Sequence, residues 1–229
     1  MKPDRQLEGA WERNSREPQK DDDSDGTGTE VGGGRTMLRE YSEAFIIAII
    51  LALFIRTFLF QAFKIPSGSM LPTLQIGDQI LVNKIASSSP LPCLGFSLVP
   101  LHEPQREDIV VFKFPNDLNR DFIKRIVGQP SQSVRLEGHT LFVDGSAVDE
   151  PYAHYERSSA VALRRSGETY DVSPAHYLVF GDNRDNSQDS RYWGLLPRDY
   201  IKGKAFLIYW SWDPTGKRVR TERLLRLLR

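Results

Sequence analysis

The sequence predicts an all-β body of coiled antiparallel sheets preceded by one N-terminal helix that crosses a membrane. Two observations predict it. From Pro66 onward, short runs of branched and aromatic residues ("GDQILVNK", "DIVVFKF", "DFIKRIVG", "SVRLEGHTLFVDGSAV", "HYLVFGDN") are separated by Gly, Pro, Asn and Asp, the punctuation of strands and turns. Ahead of Pro66, residues 44–63 are apolar except for Arg56, Thr57 and Gln61, and about twenty such residues span the hydrocarbon of a bilayer.

Taken in order, residues 1–42 form an acidic tail that includes "DDDSDGTGTEVGGG". Too little apolar surface is present to offset the entropy of ordering, so this tail is expected to be disordered. Over the whole chain 30 basic and 30 acidic side chains cancel, which excludes a global charge directed at nucleic acid or an anionic substrate. Cys93 is the one cysteine, so neither an intrachain disulfide nor a cysteine-rich metal site can form. Its setting, "SSSPLPCLGFS", reads as a loop and gives no reason to expect a reactive thiolate.

Residues 43–63 are expected to be the transmembrane helix. A cleaved signal would begin with positive charge at the extreme N-terminus, not behind an acidic tail, and a buried soluble helix would show a polar face that residues 45–55 lack. Arg56 can snorkel to an interface. The flanking charges Arg35, Arg39, Glu40 and Glu43 leave the orientation open.

Residues 64–213 form the β body, with Asp144-Gly145 between alternating residues as a hairpin turn. No long amphipathic helix is expected in it. Residues 214–229, "PTGKRVRTERLLRLLR", are basic and amphipathic. They suit either an anionic membrane surface or a short frayed helix with solvated arginines.

Three segments carry chemistry. "KIPSGSMLPT" holds Ser67 and Ser69 between Pro66 and Pro72, which restrict the backbone on both sides. A serine nucleophile needs a base. His102, His139, His154 and His176 lie in no special motif, although a triad partner need not be near in sequence. The other candidate is Lys124 in "RDFIKRIVG". Strand alternation puts Phe122, Lys124 and Ile126 on one face and Arg125 on the other, a setting that desolvates an ammonium and lowers its pKa. The third segment, "GDNRDNSQDSRYWG", follows the strand "YLVF", and its dense short polar side chains suit orienting a catalytic group.

Together these segments resemble the bacterial type I signal peptidases, membrane-bound Ser-Lys serine proteases that cut signal peptides from exported proteins. "IPSGSMLPTL" resembles the nucleophile segment, "REDIVVFKFP" the next strand, "DFIKRIVGQP" the lysine segment and "GDNRDNSQDSRYWG" the acidic loop. The resemblance covers residues 43–197. It implies Ser69 as nucleophile, Lys124 as general base, and Ser67 with the Ser69 backbone N–H as oxyanion hole. It further implies Ser187 as the serine that hydrogen-bonds and orients the lysine, and Asp189 with Arg191 as the pair bracing a loop that begins Gly181-Asp182-Asn183. Phe63, Ile65, Leu74 and Ile123 match the walls of small substrate pockets.

The resemblance also implies a substrate that adds as a strand and small residues at the first and third positions before the cut. It implies no cofactor and no metal, and as partners signal peptides and a lipid bilayer, with no nucleic acid. The catalytic domain would lie on the outer face of the cytoplasmic membrane. Two departures affect turns: Glu107 and Ser131-Gln132 stand where the family has a glycine and a glycine-aspartate. Two rival readings are a self-cleaving Ser-Lys repressor-type protease, which the apolar segment disfavours, and a membrane-tethered scaffold without catalysis, which leaves the serines, lysine and polar loop unexplained.

Overall fold

The computed structural model describes residues 33–84, 103–155 and 167–228. The expected disorder of residues 1–32 and the loop around Cys93 lie outside the described residues. The chain divides into two compact units, Met1–Phe45 and Ile46–Arg229.

Helix α1 (Gly33–Phe54) begins inside what the sequence suggested as tail, and an exposed Arg39–Glu43 pair of 2.8 Å one turn apart stabilises its first half. The helix loosens into a π-turn over Ile55–Leu59, and residues that the apolar pattern assigned to the membrane helix then become strand β1 (Phe60–Lys64). Strand pairing overrides the helical pattern there: β1 lies antiparallel to β2 (Asp78–Asn83) with Phe63 opposite Ile80, and Phe60 meets Phe206 at 5.5 Å between ring centroids. Among the described residues no helix is long and apolar enough to cross a membrane.

The body continues through β3 (Ile109–Phe114), β4 (Asp117–Gly128), β5 (Ser133–Glu137), β6 (Thr140–Val143), β7 (Ser146–Val148), β8 (Thr169–Asp171) and β9 (His176–Phe180). A short helix α2 (Ser190–Trp193) follows, then β10 (Leu196–Pro197), β11 (Ile201–Asp213), β12 (Arg218–Val219) and β13 (Arg226–Leu227). The large sheet runs β1-β2-β11-β3-β4-β9-β10, with β12 and β13 also paired to β11. The small sheet runs β7-β6-β5-β8, and every named pairing in both is antiparallel. The Asp144-Gly145 turn has φ of 51° and 81°, the doubly positive geometry of a type I′ hairpin.

Register shifts in β11 against β2 and β3, and in β4 against β9, coil the large sheet. Alternation places Ile80, Val82, Val111, Ile123 and Ile208 in one core beneath the β1–β2 end, and Val110, Phe112, Ile126 and Val179 in a second on the opposite face. The two edges of β4 are unequally paired. β3 bonds to it along most of its length, but β9 joins its other edge only from Arg125 onward. Among the described residues, the β9-side edge of residues 117–124 has no strand beside it.

The C-terminal segment is not the amphipathic helix that its composition allowed. It is extended as β12 and β13 on β11, and Leu228 packs against the core. Arg223, 3% exposed, explains the difference. Its guanidinium donates to both oxygens of the fully buried Asp78 at 3.1 and 2.6 Å and to the Thr73 carbonyl at 2.8 Å. Asp78 also accepts from Ser211 Oγ and the Gln75 N–H. Burial alone would raise this carboxyl, but the Arg223, Gln75 and Ser211 donors hold it below its ordinary 3.8.

The Asp78 contribution is therefore complete above its ordinary value and is lost as pH falls through the lowered folded value. Arg223→Ala leaves a buried carboxylate without its cation, and such breakage costs about 3–5 kcal/mol. Urea denaturation in detergent should show that loss, and the acid-unfolding midpoint should move to higher pH because the orphaned carboxyl takes its proton sooner. An unchanged acid midpoint would contradict the assignment.

Candidate active site

The segment after β1 turns on itself before β2. Ile65 and Gly77 exchange backbone hydrogen bonds with this region (Ile65 N–H to Asp78 O, 2.9 Å; Gly77 N–H to Ile65 O, 3.0 Å), and Leu74 N–H donates to Met70 O at 2.8 Å. Ile65, Met70 and Leu74 sink into the core, which holds the intervening turn against the sheet and leaves Ser67 exposed and Ser69 half-buried. Leu74, expected in a pocket wall, is wholly enclosed in that core. Its contribution is to fix the turn, since the alternate face of this short segment points inward.

Lys124 reaches Ser69 from β4. It is 4% exposed, and its Nζ lies 2.9 Å from Ser69 Oγ and 2.9 Å from the Ile123 carbonyl. Phe122, two residues earlier on the same face, places its ring 5.3 Å from Nζ. Burial pushes the Lys124 amine down to about 8; the Asp189 and Asp182 carboxylates oppose that shift and Arg191 adds to it. A neutral amine within hydrogen-bond reach of a hydroxyl can take its proton, the arrangement of an activated nucleophile.

The polar loop after β9 closes around this pair. The Asp189 carboxylate accepts from Gly181 N–H at 3.0 Å and, through both oxygens, from Arg191 at 2.8 Å each. Asp182 takes Arg125 in the same two-pronged way, at 2.9 and 2.8 Å, and accepts from Thr73 Oγ1 at 2.6 Å. Asn183 fastens the serine turn directly: its N–H donates to Ser69 O at 3.1 Å and its Nδ2 to Gly68 O at 3.2 Å. Gly181 is needed for close approach. A Cβ there would stand 2.5 Å from Ser69 O and 2.2 Å from Ser187 Oγ.

One expectation differs in detail. Ser187 is buried beside Gly181, but its hydroxyl has no hydrogen-bond partner and does not reach Lys124, which donates to the Ile123 carbonyl instead. Arg125 lies on the face opposite Lys124, as strand alternation predicts, and there it is buried and paired with Asp182. Among the described residues no histidine hydrogen-bonds Ser67 or Ser69. His139 stacks on Tyr155, His176 bonds locally to Ser173 and Pro174, and His154 bridges Asn183 through backbone.

Sequence reasoning did not find the support beneath the loop. Glu150 grips Arg184 at 2.6 and 2.8 Å, Tyr155 Oη adds a contact at 3.0 Å, and Tyr152 lies under Arg125 with 4.0 Å from guanidinium carbon to ring centroid. No local motif marks these residues; the tyrosines and glutamate following a predicted hairpin are their faint trace.

A cleft of about 630 Å³ opens beside Ser69, lined among others by Ser67, Arg120, Phe122, Ile123 and Asn183. A smaller pocket of about 40 Å³ adjoins it, walled by Phe63, Ile65, Ile80, Val111 and Ile123. Three of the four expected wall residues thus meet there, without Leu74. Among the described residues no group of three or more His, Cys, Asp or Glu side chains is placed to hold a metal ion.

Comparison with known proteins places the chain in a family. The family model described as "Signal peptidase, peptidase S26" matches residues 38–210. "Signal peptidase I" of Pseudomonas aeruginosa is 38% identical over 212 aligned positions, covering 78% of this chain and 75% of that protein. "Signal peptidase I" of Aquifex aeolicus is 34% identical, covering 76% and 85%. "Signal peptidase I T" of Bacillus subtilis is 32% identical, covering 76% and 86%. With matches of this extent from residue 38 through most of β11, the chain belongs to the signal peptidase, peptidase S26, family of serine peptidases.

Proposed function

We propose that this protein is a membrane-bound endopeptidase that removes N-terminal signal peptides from exported preproteins, cutting after small residues. The observation that carries the reading is the 2.9 Å contact between Ser69 Oγ and the Nζ of a lysine that is 4% exposed. Family membership and the names of the relatives support the same substrate class.

In the proposed reaction the preprotein lies as an extended strand between the end of β1 and the unpaired edge of β4. Ser69 Oγ attacks the scissile carbonyl carbon while Lys124 Nζ takes the hydroxyl proton. The Ser69 N–H and the Ser67 hydroxyl stabilise the resulting oxyanion. Collapse breaks the C–N bond, and the Lys124 ammonium returns its proton to the leaving amine, freeing the mature N-terminus. Lys124 then deprotonates a water that attacks the acyl ester, and Ser69 recovers its proton as the signal peptide leaves with a carboxylate. The chain supplies both nucleophile and proton acceptor, so this sequence needs no metal or cofactor. The Asp189–Arg191 pair holds the loop behind the dyad, with Ser187 packed beside Gly181, and Phe63, Ile65 and Ile123 admit a small side chain.

The bilayer is the proposed partner of the N-terminal segment. Phe45, Ile47, Ile50 and Phe54 are all more than half exposed, an apolar surface that suits lipid. The proposed setting is the bacterial cytoplasmic membrane, held by this apolar N-terminal segment, with the catalytic domain on the outer face. Ser69 follows β1 by five residues, which would keep the cut close to the membrane that holds the signal peptide's apolar core.

Ser69→Ala should lower kcat/KM for a purified preprotein in detergent by about 10³-fold or more, with circular dichroism unchanged. Lys124→Ala and the volume-preserving Lys124→Met should do the same, and full activity in either lysine variant would sink the reading. The pH dependence has a fixed sign. The base works as the neutral amine, so kcat/KM should climb as pH rises through about 8 and level above it. A profile already flat from pH 6 to 9 would show that no such group controls the rate.

A further inference from the structure

The substrate cleft carries a charge that the proposed chemistry does not use. Arg120 lies on its wall, exposed, with its guanidinium carbon 5.4 Å from the Phe122 ring centroid and 5.9 Å from that of Phe114. These two rings stack on each other at 4.3 Å, so the guanidinium rests on a rigid aromatic platform and keeps its N–H edges open. Among the described residues it has no carboxylate partner. The acidic residue on the same wall, Asp121, is occupied by Lys202 at 2.7 Å. The remaining lining side chains of the cleft are uncharged. Lys64, on the wall built by β1, is exposed at the adjoining small pocket and likewise has no acidic partner among the described residues. This end of the cleft therefore offers a peptide two free cations and no free carboxylate.

Position fixes where a substrate would feel them. Arg120, Phe122 and Lys124 share one face of β4, and Arg120 precedes Lys124 by four residues, about 13 Å along an extended strand. The unpaired edge of β4 runs through this stretch. The apolar pocket suited to small residues before the cut lies at the Phe63–Ile65 side, while the opposite end of the cleft is polar with Asn183, Asn186 and Gln188. Upstream substrate residues would thus run from Ser69 past the small pocket toward Arg120.

We infer that Arg120, assisted by Lys64, is a specificity-determining residue that favours acidic over basic side chains about four residues upstream of the cut. The inference deepens the proposed peptidase function and rests on it. A partly exposed charge pair of this kind sets a preference of about two- to fivefold, weakened by salt.

The test uses two preprotein peptides, identical except for Glu or Lys at the fourth residue before the cut, and compares the parent with Arg120→Glu in detergent. The readout is the ratio of kcat/KM for the Glu peptide to that for the Lys peptide within each enzyme. The parent should favour Glu about two- to fivefold, Arg120→Glu should favour Lys, and 0.5 M salt should bring both ratios toward one. A structural defect in the variant lowers both peptides together and leaves the ratio unmoved, so equal ratios in the two enzymes overturn the inference. Fluorescence anisotropy of the same peptides on Ser69→Ala, with and without Arg120→Glu, asks the question without turnover. Cleavage of neither peptide would count against the peptidase reading, while an unreversed binding preference would count against Arg120.

Discussion

Burying an amine beside a serine hydroxyl constrains everything around it. A lysine inside a protein stays neutral near pH 8 only if nothing nearby rewards its protonation, yet Asp182 and Asp189 both lie close enough to pull the Lys124 amine back toward its charged form. Each of these carboxylates is held in a two-pronged, fully buried pair with an arginine, Asp182 with Arg125 and Asp189 with Arg191. The acids are thereby free to organise backbone, Asp189 through Gly181 N–H and Asp182 through Thr73, while their charge is largely compensated. A like arrangement without the arginines would place two bare carboxylates near the amine and restore the ammonium. The loop's mixture of acids and arginines is thus a way of building a rigid polar wall that does not protonate the proposed base.

The same networks tie the serine turn at both ends. Thr73 donates its hydroxyl to Asp182 and offers its carbonyl to Arg223, which in turn holds Asp78 in β2. The turn bearing Ser69 is consequently clamped between the loop after β9 and the C-terminal segment. Asn183 adds two bonds to Gly68 and Ser69. Beneath, Glu150 and Tyr155 fix Arg184, whose Nε donates back to Gly181 O at 3.2 Å. The small sheet between β4 and β9 is brief, but the chain that links its strands β7 and β8 supplies this footing.

Strands β2, β3, β4, β5, β6, β7 and β9 are legible in the sequence because each is a short run bounded by turn residues, alternating in strands such as β2 and β5 and near-continuously apolar in β3 and β9. The face shared by Phe122 and Lys124 follows from the same period. β11 is not legible, although it is the sheet's centre, because its alternation is broken at three register shifts, two against β2 and one against β3, and both its faces carry large side chains. β1 is hidden inside an apolar run that helical periodicity also fits; only its pairing with β2 distinguishes it. The buried role of Arg223 is illegible in another way. Its partner lies 145 residues earlier, and locally the segment looks like any solvated basic tail. Ser67, Ser69, Lys124 and the polar loop stand out because turn-forming prolines and clustered short polar residues are costly to place without a use, whereas Glu150 and Tyr152 sit in unremarkable sequence.

The cleft itself follows from a mismatch in strand lengths. β4 has twelve residues and β9 five, and β9 begins to pair only where Arg125 turns inward. Had β9 continued, its backbone would have filled the edge beside residues 117–124 and closed the route to Ser69. Instead the chain leaves β9 at Phe180 and enters the polar loop, and Gly181 at that point lets it pass within contact distance of the Ser69 carbonyl. An open strand edge normally invites aggregation. Here it is flanked by the Arg120 platform, the Asp121–Lys202 pair and the half-buried serine turn, so the exposed backbone is short and walled by charge. The edge that a globular sheet would have to protect is thereby left without a strand beside it, among the described residues, at the position where the proposed nucleophile and base meet.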